Sequence, residues 1–222
     1  MILRKKPSKL VAVVVPISNK PDLTDDEKMS MRHLCYWLHP YDKYIVAPKE
    51  LSFKYDGFIT KRFDKKYFGS VKAHNRLMLS PKFYRAFAEY KFILIYHLDA
   101  LVFSDQLKYW CEQEYDYIGS PWIKNKEAPY TGYPLYDGKV GNGGFSLRKV
   151  KSFLKVIYSS EYYIQPNEHW KRYYSTKSKF VQYQNIYKKV LKRLHCFNNA
   201  KIELGRYREN EEAFWANRAM HY

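Results

Sequence analysis

The chain has 222 residues, with 39 Lys and Arg against 22 Asp and Glu, and a net charge of +17 at pH 7. This length supports one sizeable hydrophobic core, and no linker rich in Gly, Ser or Pro divides it, so we predict a single domain. The charge favours anionic partners: phosphates, nucleic acid, or an anionic membrane surface touched peripherally. The three cysteines are scattered, so no disulfide framework is implied, and unpaired thiols in a reducing compartment such as the cytoplasm are the simplest account.

The first apolar run, "LVAVVVPI" at 10–17, predicts a buried β-strand. It is too short to span a bilayer, contains Pro16 and lacks a cleavage site, so we expect neither a transmembrane segment nor a signal peptide. A helix follows, because Thr24 and Glu27 have capping-box spacing. Its apolar residues recur at helical intervals: Met31, Leu34, Cys35 and Leu38.

Next, "KYIVAP" and "DGFITKRF" predict two short strands, and "SVKAHNRLMLSPKFYRAF" predicts a helix interrupted at Pro81. With the apolar strand "FILIYHL", this order predicts an α/β domain whose central, mostly parallel mixed sheet is flanked by helices. Later elements are a short helix after 104, strands at 115–119 and 145–147, and helices starting near 149, 185 and 208. A loop is expected at 124–139, and 162–179 shows no clear period.

His97 and Asp99 stand two residues apart at the far end of the predicted strand in "FILIYHLDAL", so we expect their side chains to point the same way. Ligands of open α/β sheets bind beyond the carboxyl ends of the strands, which favours a metal or substrate role for Asp99. The alternatives are that Asp99 caps a helix or pairs with a lysine, and that His97 closes the strand through one hydrogen bond. A buried carboxylate would need a cationic partner, which we therefore expect.

Three glycines surround one asparagine in "GNGG", Gly141 to Gly144. Such a segment lets a ligand approach the backbone closely, and Asn142 could bind a hydroxyl-rich ligand. A hairpin turn built on Asn-Gly explains it equally well. A Walker-type phosphate loop is excluded, because no Gly-Lys-Ser/Thr follows.

Glu209, Glu211 and Glu212 stand at the start of the last predicted helix. Carboxylates at this position are explained by the helix dipole. The functional alternative is a general base that deprotonates a hydroxyl.

Four motifs occur in order: "FILIYHLDALVF", "YDYIGSPW", "VGNGGFSLRK" and "NEEAFW". Together with "HNRLMLSPKFYRAF" they resemble the signature series of the DUF5672 family, whose members are regarded as glycosyltransferases. The resemblance runs from about Val11 to Phe214. It implies a GT-A-like single domain with a nucleotide-binding half at about 1–100 and an acceptor-binding half at about 101–222. Similar domains begin large glycosylation proteins of algal viruses, in which case the location would be the host cytoplasm.

The resemblance further implies transfer of a sugar from a nucleotide-sugar, with a UDP-sugar as first candidate, to a hydroxyl acceptor with inversion. Asp99 matches the aspartate of the DxD-like motif, which binds a divalent cation, Mn²⁺ or Mg²⁺, and the sugar diphosphate. The motif departs from two acids, since His97 stands beside a single carboxylate. "GSVKAHN", 69–75, resembles a "GxxxARN" segment facing the nucleotide, although a plain amphipathic helix would also explain it. The implied donor-binding residues are Pro16, Ile17, Ser18, Lys72, His74, Asn75, His97, Leu98 and Asp99.

On the sugar and acceptor side, the resemblance implies Trp122, Asn142, Gly143 and Gly144. Glu212 or Glu211 would be the catalytic base, and the metal ligands would be Asp99 and His97 with His221 as an additional ligand.

The sequence also fits two other hypotheses about function. The +17 charge and interleaved aromatic residues fit a non-enzymatic polyanion or nucleic-acid binder. The single-acid motif also fits a catalytically degenerate GT-A fold that only binds sugar.

Overall fold

A computed structural model of the protein describes residues 7–17, 22–121, 140–162, 164–196 and 199–222. The strands are β1 (Lys9–Pro16), β2 (Asp42–Pro48), β3 (Ile59–Phe63), β4 (Tyr90–Tyr96), β5 (Tyr117–Pro121) and β6 (Val140–Lys149). The helices are α1 (Asp25–Trp37), α2 (Val71–Met78), α3 (Pro81–Arg85), α4 (Leu107–Glu112), α5 (Val150–Ile157), α6 (Pro166–Tyr174), α7 (Lys179–Arg193), α8 (Ala200–Arg206) and α9 (Glu211–Ala213). A 3₁₀ turn occupies Lys65–Tyr67, and α9 continues as a π-helix at Phe214–Arg218 and a 3₁₀ turn at Ala219–His221.

The strands form one sheet in the order β3-β2-β1-β4-β6-β5. The first four are parallel, and β6 is antiparallel to both of its neighbours. Hydrophobic clusters cover both faces, so alternate residues of β1 serve different clusters: Ala12 and Val14 on one face, Val13 and Val15 on the other. The predicted α/β class with a mixed sheet is confirmed.

The chain order creates a gap at the centre of the sheet. From β1 the chain moves outward through β2 and β3, and then returns to place β4 on the other side of β1. The connections after β1 and β4 therefore leave in opposite directions, which makes the carboxyl ends of these two strands the topological switch point. Open sheets of this kind bind their ligands there.

Helix α1 begins at one rim of this gap, as its capping box predicts. The Thr24 hydroxyl accepts from the Glu27 N–H at 3.3 Å, and the Glu27 carboxylate accepts from the Thr24 N–H at 2.7 Å. The reciprocal bonds fix the first turn of α1 beside the ends of β1 and β4.

Several boundaries differ from the sequence-based expectations. Strand β6 has ten residues, because "GNGG" belongs to the strand and is not a hairpin turn. Helix α6 lies in the segment where no period was visible, and Pro166 occupies its first turn. The last predicted helix is a short α9 that widens into the π-helix, where the consecutive residues Phe214 and Trp215 are both buried. The loop predicted at 124–139 lies outside the described residues.

Across the residues that the structure describes, no helix has both the length and the apolar character that membrane crossing requires.

Candidate active site

A cavity of about 640 Å³ opens at the carboxyl ends of β1 and β4. Five of the predicted donor-binding residues come together in its wall: Pro16, Ile17, His97, Leu98 and Asp99. The start of α1 and the segments beside these residues supply the rest: Asp22, Leu23, Thr24, Asp26, Glu27, Met29, Ala100 and Leu101. Ser18, predicted beside Ile17, lies outside the described residues.

The cavity is acidic although the chain is strongly basic. Its wall carries the carboxyl groups of Asp22, Asp26, Glu27 and Asp99, and none of the described lining residues is Lys or Arg. An anionic ligand placed directly against this wall would be repelled, so a phosphate-bearing ligand needs a cation between itself and the carboxylates.

Asp99 is solvent-exposed. Its exposure removes the desolvation cost that led us to expect a cationic partner, and in the described chain no Lys or Arg forms an ion pair with it. Asp99 is therefore neither buried nor paired with a described lysine or arginine, and the carboxylate stands open to the cavity.

The donor set suits a hard divalent cation only in part. Asp22, Asp26 and Asp99 offer the oxygen ligands that Mg²⁺ and Mn²⁺ prefer. Within the described ranges, however, no three His, Cys, Asp or Glu side chains converge as a preformed cage. A cation held by these carboxylates would therefore need further oxygen ligands, from a bound ligand or from water, to complete its coordination.

His97 and His74 meet beside the cavity, with ring centroids 4.9 Å apart at 75°. The backbone N–H of His97 donates to the Gly144 carbonyl at 2.7 Å, which ties the end of β4 to β6. Burial lowers the pKa of each imidazole to about 4, so both rings are neutral at pH 7. The buried His97 Nε2 has no hydrogen-bond partner among the described residues.

A buried ion pair joins β6 to α9. Arg148 donates to both carboxylate oxygens of Glu211, from Nη2 at 2.7 Å and from Nη1 at 3.1 Å. The remaining three N–H groups of the guanidinium donate to Ser146 Oγ, the Tyr84 hydroxyl and the Gly143 carbonyl. All five donors are thus satisfied, as a charge excluded from water requires.

Two glycines of "GNGG" leave space for the buried ion pair and for the His97 ring. A Cβ on Gly143 would lie 2.5 Å from Glu211 Oε1, and a Cβ on Gly144 would lie 3.0 Å from His97 Nδ1. Larger residues would push the ion pair and the histidine away from β6. Close packing of these neighbours against the strand, and not a turn, explains the two glycines.

Glu212 is the half-buried neighbour of this pair. Burial raises the pKa of its carboxyl to about 7, and the adjacent Glu211 charge adds to the shift. A carboxyl with this pKa exchanges its proton near neutral pH, which suits a general base. Glu211 is fully engaged by Arg148 and is not available for this role.

The other predicted site residues are distributed around this region. The Asn142 side-chain oxygen accepts from the Gly144 N–H at 3.0 Å, and Asn75 donates to Asn210 at 3.3 Å, which links α2 to α9. Lys72 is exposed on α2, and His221 is exposed in the final 3₁₀ turn and does not line the cavity. Trp122 lies outside the described residues.

Sequence reasoning missed Arg148, together with the cavity carboxylates Asp22 and Asp26. Alternation in "GFSLRK" places Ser146 and Arg148 opposite Phe145 and Leu147, which resembles a strand with one face in water. The available signal was the sheet class itself, since a central strand of an α/β sheet is covered on both faces.

We predict that Arg148→Met lowers the free energy of unfolding by about 3–5 kcal/mol, because it leaves the Glu211 carboxylate buried without a partner. The double variant Arg148→Met/Glu211→Leu should recover most of this loss, since neither charge then remains. Urea denaturation of Arg148→Met, Glu211→Leu and the double variant measures the coupling free energy of the two side chains. Additive losses would contradict the pairing.

A second prediction concerns the pH dependence of stability. The folded Glu212 carboxyl has a pKa of about 7 against an ordinary 4.5, so between these values the folded protein holds a proton that the unfolded chain has released. Stability should therefore fall as pH rises through this window, and Glu212→Gln should remove roughly 2–3 kcal/mol of that fall between pH 5 and pH 8. Glu50→Gln, an exposed control, should leave the pH profile unchanged.

Comparison with known proteins adds a family but no activity. No curated protein matches the chain. The family described as "Protein of unknown function (DUF5672)" matches residues 57–222, which include β4, β6, Arg148 and α9. This match takes in well over half of the chain, and the chain therefore belongs to the DUF5672 family.

Proposed function

We propose that this protein is a glycosyltransferase that moves a sugar from a nucleotide-sugar, with a UDP-sugar as first candidate, to a hydroxyl acceptor. The observation that carries the proposal is the cavity at the switch point of β1 and β4, with the Asp99 carboxylate open to it. An exposed carboxylate at the end of an apolar strand contributes little to folding, whereas this edge of the sheet is where ligands bind.

The donor nucleotide would lie along the ends of β1 and β4. Pro16 and Ile17 offer apolar surface to the base and ribose, and the diphosphate would lie near Asp99. Asp99 would hold a Mg²⁺ or Mn²⁺ ion that accompanies the diphosphate and offsets the repulsion from the acidic wall. Such a cation supplies positive charge that offsets the charge developing on the leaving diphosphate.

The acceptor would approach from the side of β6 and α9. Glu212 takes the proton of the acceptor hydroxyl, the hydroxyl oxygen bonds to the anomeric carbon, and the bond from that carbon to the diphosphate breaks with inversion. Glu211, held by Arg148, keeps α9 against β6 and contributes to the raised pKa of Glu212. Because Glu212 does not line the cavity, the donor sugar would extend past His97 toward α9.

The acidic cavity wall opposes the alternative of a nucleic-acid site at this position, since a polyanion would meet four carboxyl groups there. The free thiols of Cys35, Cys111 and Cys196 support the cytoplasm as the compartment.

We predict that UDP together with Mn²⁺ raises the melting temperature of the protein, and that UDP alone gives a smaller shift, because the cation bridges phosphate and carboxylate. Asp99→Asn should abolish the Mn²⁺-dependent part of the shift. Asp56→Asn removes an equal charge from an exposed turn and should retain the full shift. A full shift in Asp99→Asn would remove the donor site from this cavity.

Glu212→Gln should leave the UDP–Mn²⁺ melting shift intact and lower transfer about 10²–10⁴-fold, because only the base is lost. The wild-type rate should rise as pH increases through about 7, where the Glu212 carboxyl loses its proton. Release of UDP from nucleotide-sugars, with and without hydroxyl acceptors, measures both the effect of Glu212→Gln and the pH dependence of the wild-type rate. Donor binding with no release of UDP under any condition would instead identify a sugar-binding protein without catalysis.

A further inference from the structure

Helices α6 and α7 form a hairpin outside the hydrophobic core. The described residues of the two core clusters include none from either helix. Trp170 of α6 instead stacks on Tyr174 within its own helix, and Lys189 of α7 lies over the Trp170 ring at 5.6 Å. The apolar residues of α7 are thus not explained by packing against the sheet.

The exposed surface of α7 carries a continuous apolar stripe. Its members follow alternating intervals of three and four residues, which places them on one face of the helix. All are more than half exposed, from 54 to 78%: Phe180, Tyr183, Tyr187, Val190 and Leu194. Ile186 and, on α6, Tyr173 extend the patch with exposures of 54 and 48%. We refer to these seven residues as the α7 patch.

The sequence around the patch carries only positive charge. Residues 169–195 contain eight Lys and Arg and no Asp or Glu. Several cations lie beside patch rings, with Lys188 over Tyr187 at 5.8 Å and Arg172 over Tyr173 at 5.7 Å. Lys171, Lys177 and Lys179 are exposed at the hairpin end.

We propose that the α7 patch binds the surface of an anionic phospholipid membrane, with α7 lying in the plane of the interface. A helix with aromatic and aliphatic residues on one face and only basic charges around it has the character of an interfacial helix. The patch would enter the boundary between headgroups and acyl chains, while the long Lys and Arg side chains reach lipid phosphates.

Charge complementarity favours an anionic membrane as the partner of the α7 patch. A second copy of the chain, docked patch to patch, would bring two basic clusters together without an acidic partner. A nucleic acid would suit the cations and the aromatic rings, but Ile186, Val190 and Leu194 cannot stack on bases as aromatic rings do. Anionic lipid satisfies both the charges and the aliphatic residues. This inference is independent of the proposed transferase activity.

Co-sedimentation of the full chain with vesicles tests the proposal. We expect binding to vesicles in which roughly a third of the lipid is phosphatidylserine, little binding to neutral phosphatidylcholine vesicles, and weakening by salt. Tyr183→Ser/Leu194→Ser should lose most binding. Lys177→Glu/Lys179→Glu should weaken it at least roughly 25-fold, since each cation near the surface is worth a factor of about 5. Glu at 179, in the first turn of α7, should not harm the helix.

Matched controls separate the patch from general charge and exposure. Lys65→Glu/Lys66→Glu and Tyr36→Ser change equally exposed residues elsewhere and should reduce binding far less than the patch variants. Circular dichroism and the melting temperature without ligand verify that each variant is folded. Absence of binding to anionic vesicles would overturn the proposal. So would binding that Tyr183→Ser/Leu194→Ser leaves intact and single-stranded RNA displaces, which would indicate a nucleic-acid surface.

Discussion

The buried pair of Arg148 and Glu211 is the constraint on which the second half of the molecule depends. It joins β6 to α9, and every N–H of the guanidinium is used: two meet Glu211, and the others meet Tyr84, Ser146 and Gly143. A buried charge tolerates few arrangements, so the pair fixes where α9 lies. It follows that Glu212, the next residue, is held beside β6 in an environment that keeps its proton affinity high.

The same constraint connects the glycines to the site. Gly143 leaves space for the Glu211 carboxylate and Gly144 leaves space for the His97 ring, so one short segment accommodates both the ion pair and the end of β4. The cavity lies on one side of His97, and His74 lies against its ring. His97 therefore lines the acidic cavity and also packs against α2, which is joined to the start of α9 by the bond from Asn75 to Asn210.

Local patterns predicted the first half of the fold well. The capping box at Thr24 and the apolar runs of β1 and β4 identify both walls of the cavity. Strand β4 ends at Tyr96, however, and Asp99 lies in the turn that follows, so strand alternation does not set its direction. The pairing of Arg148 with Glu211 could not be predicted, because the two residues are 63 positions apart and only the antiparallel placement of β6 brings them together. The alternation of polar and apolar residues in β6 is typical of a strand with one face in water, but α5 and α9 contact this strand and Ser146 and Arg148 are both buried. Helix α6 has few buried residues and so leaves no apolar period to detect.

The cavity is acidic, whereas the whole chain has a net charge of +17. The approach of an anionic ligand and its binding in the cavity therefore depend on different charges. The long-range field of the whole protein draws anions toward its surface, and that attraction extends over about 8–10 Å at physiological ionic strength. Within the cavity the described wall is acidic, so a ligand with unmasked negative charge meets repulsion there. The association rate of an anionic ligand thus depends on the overall excess of lysine and arginine, whereas its affinity for the cavity depends on a few carboxylates. Evolution could therefore change the two independently.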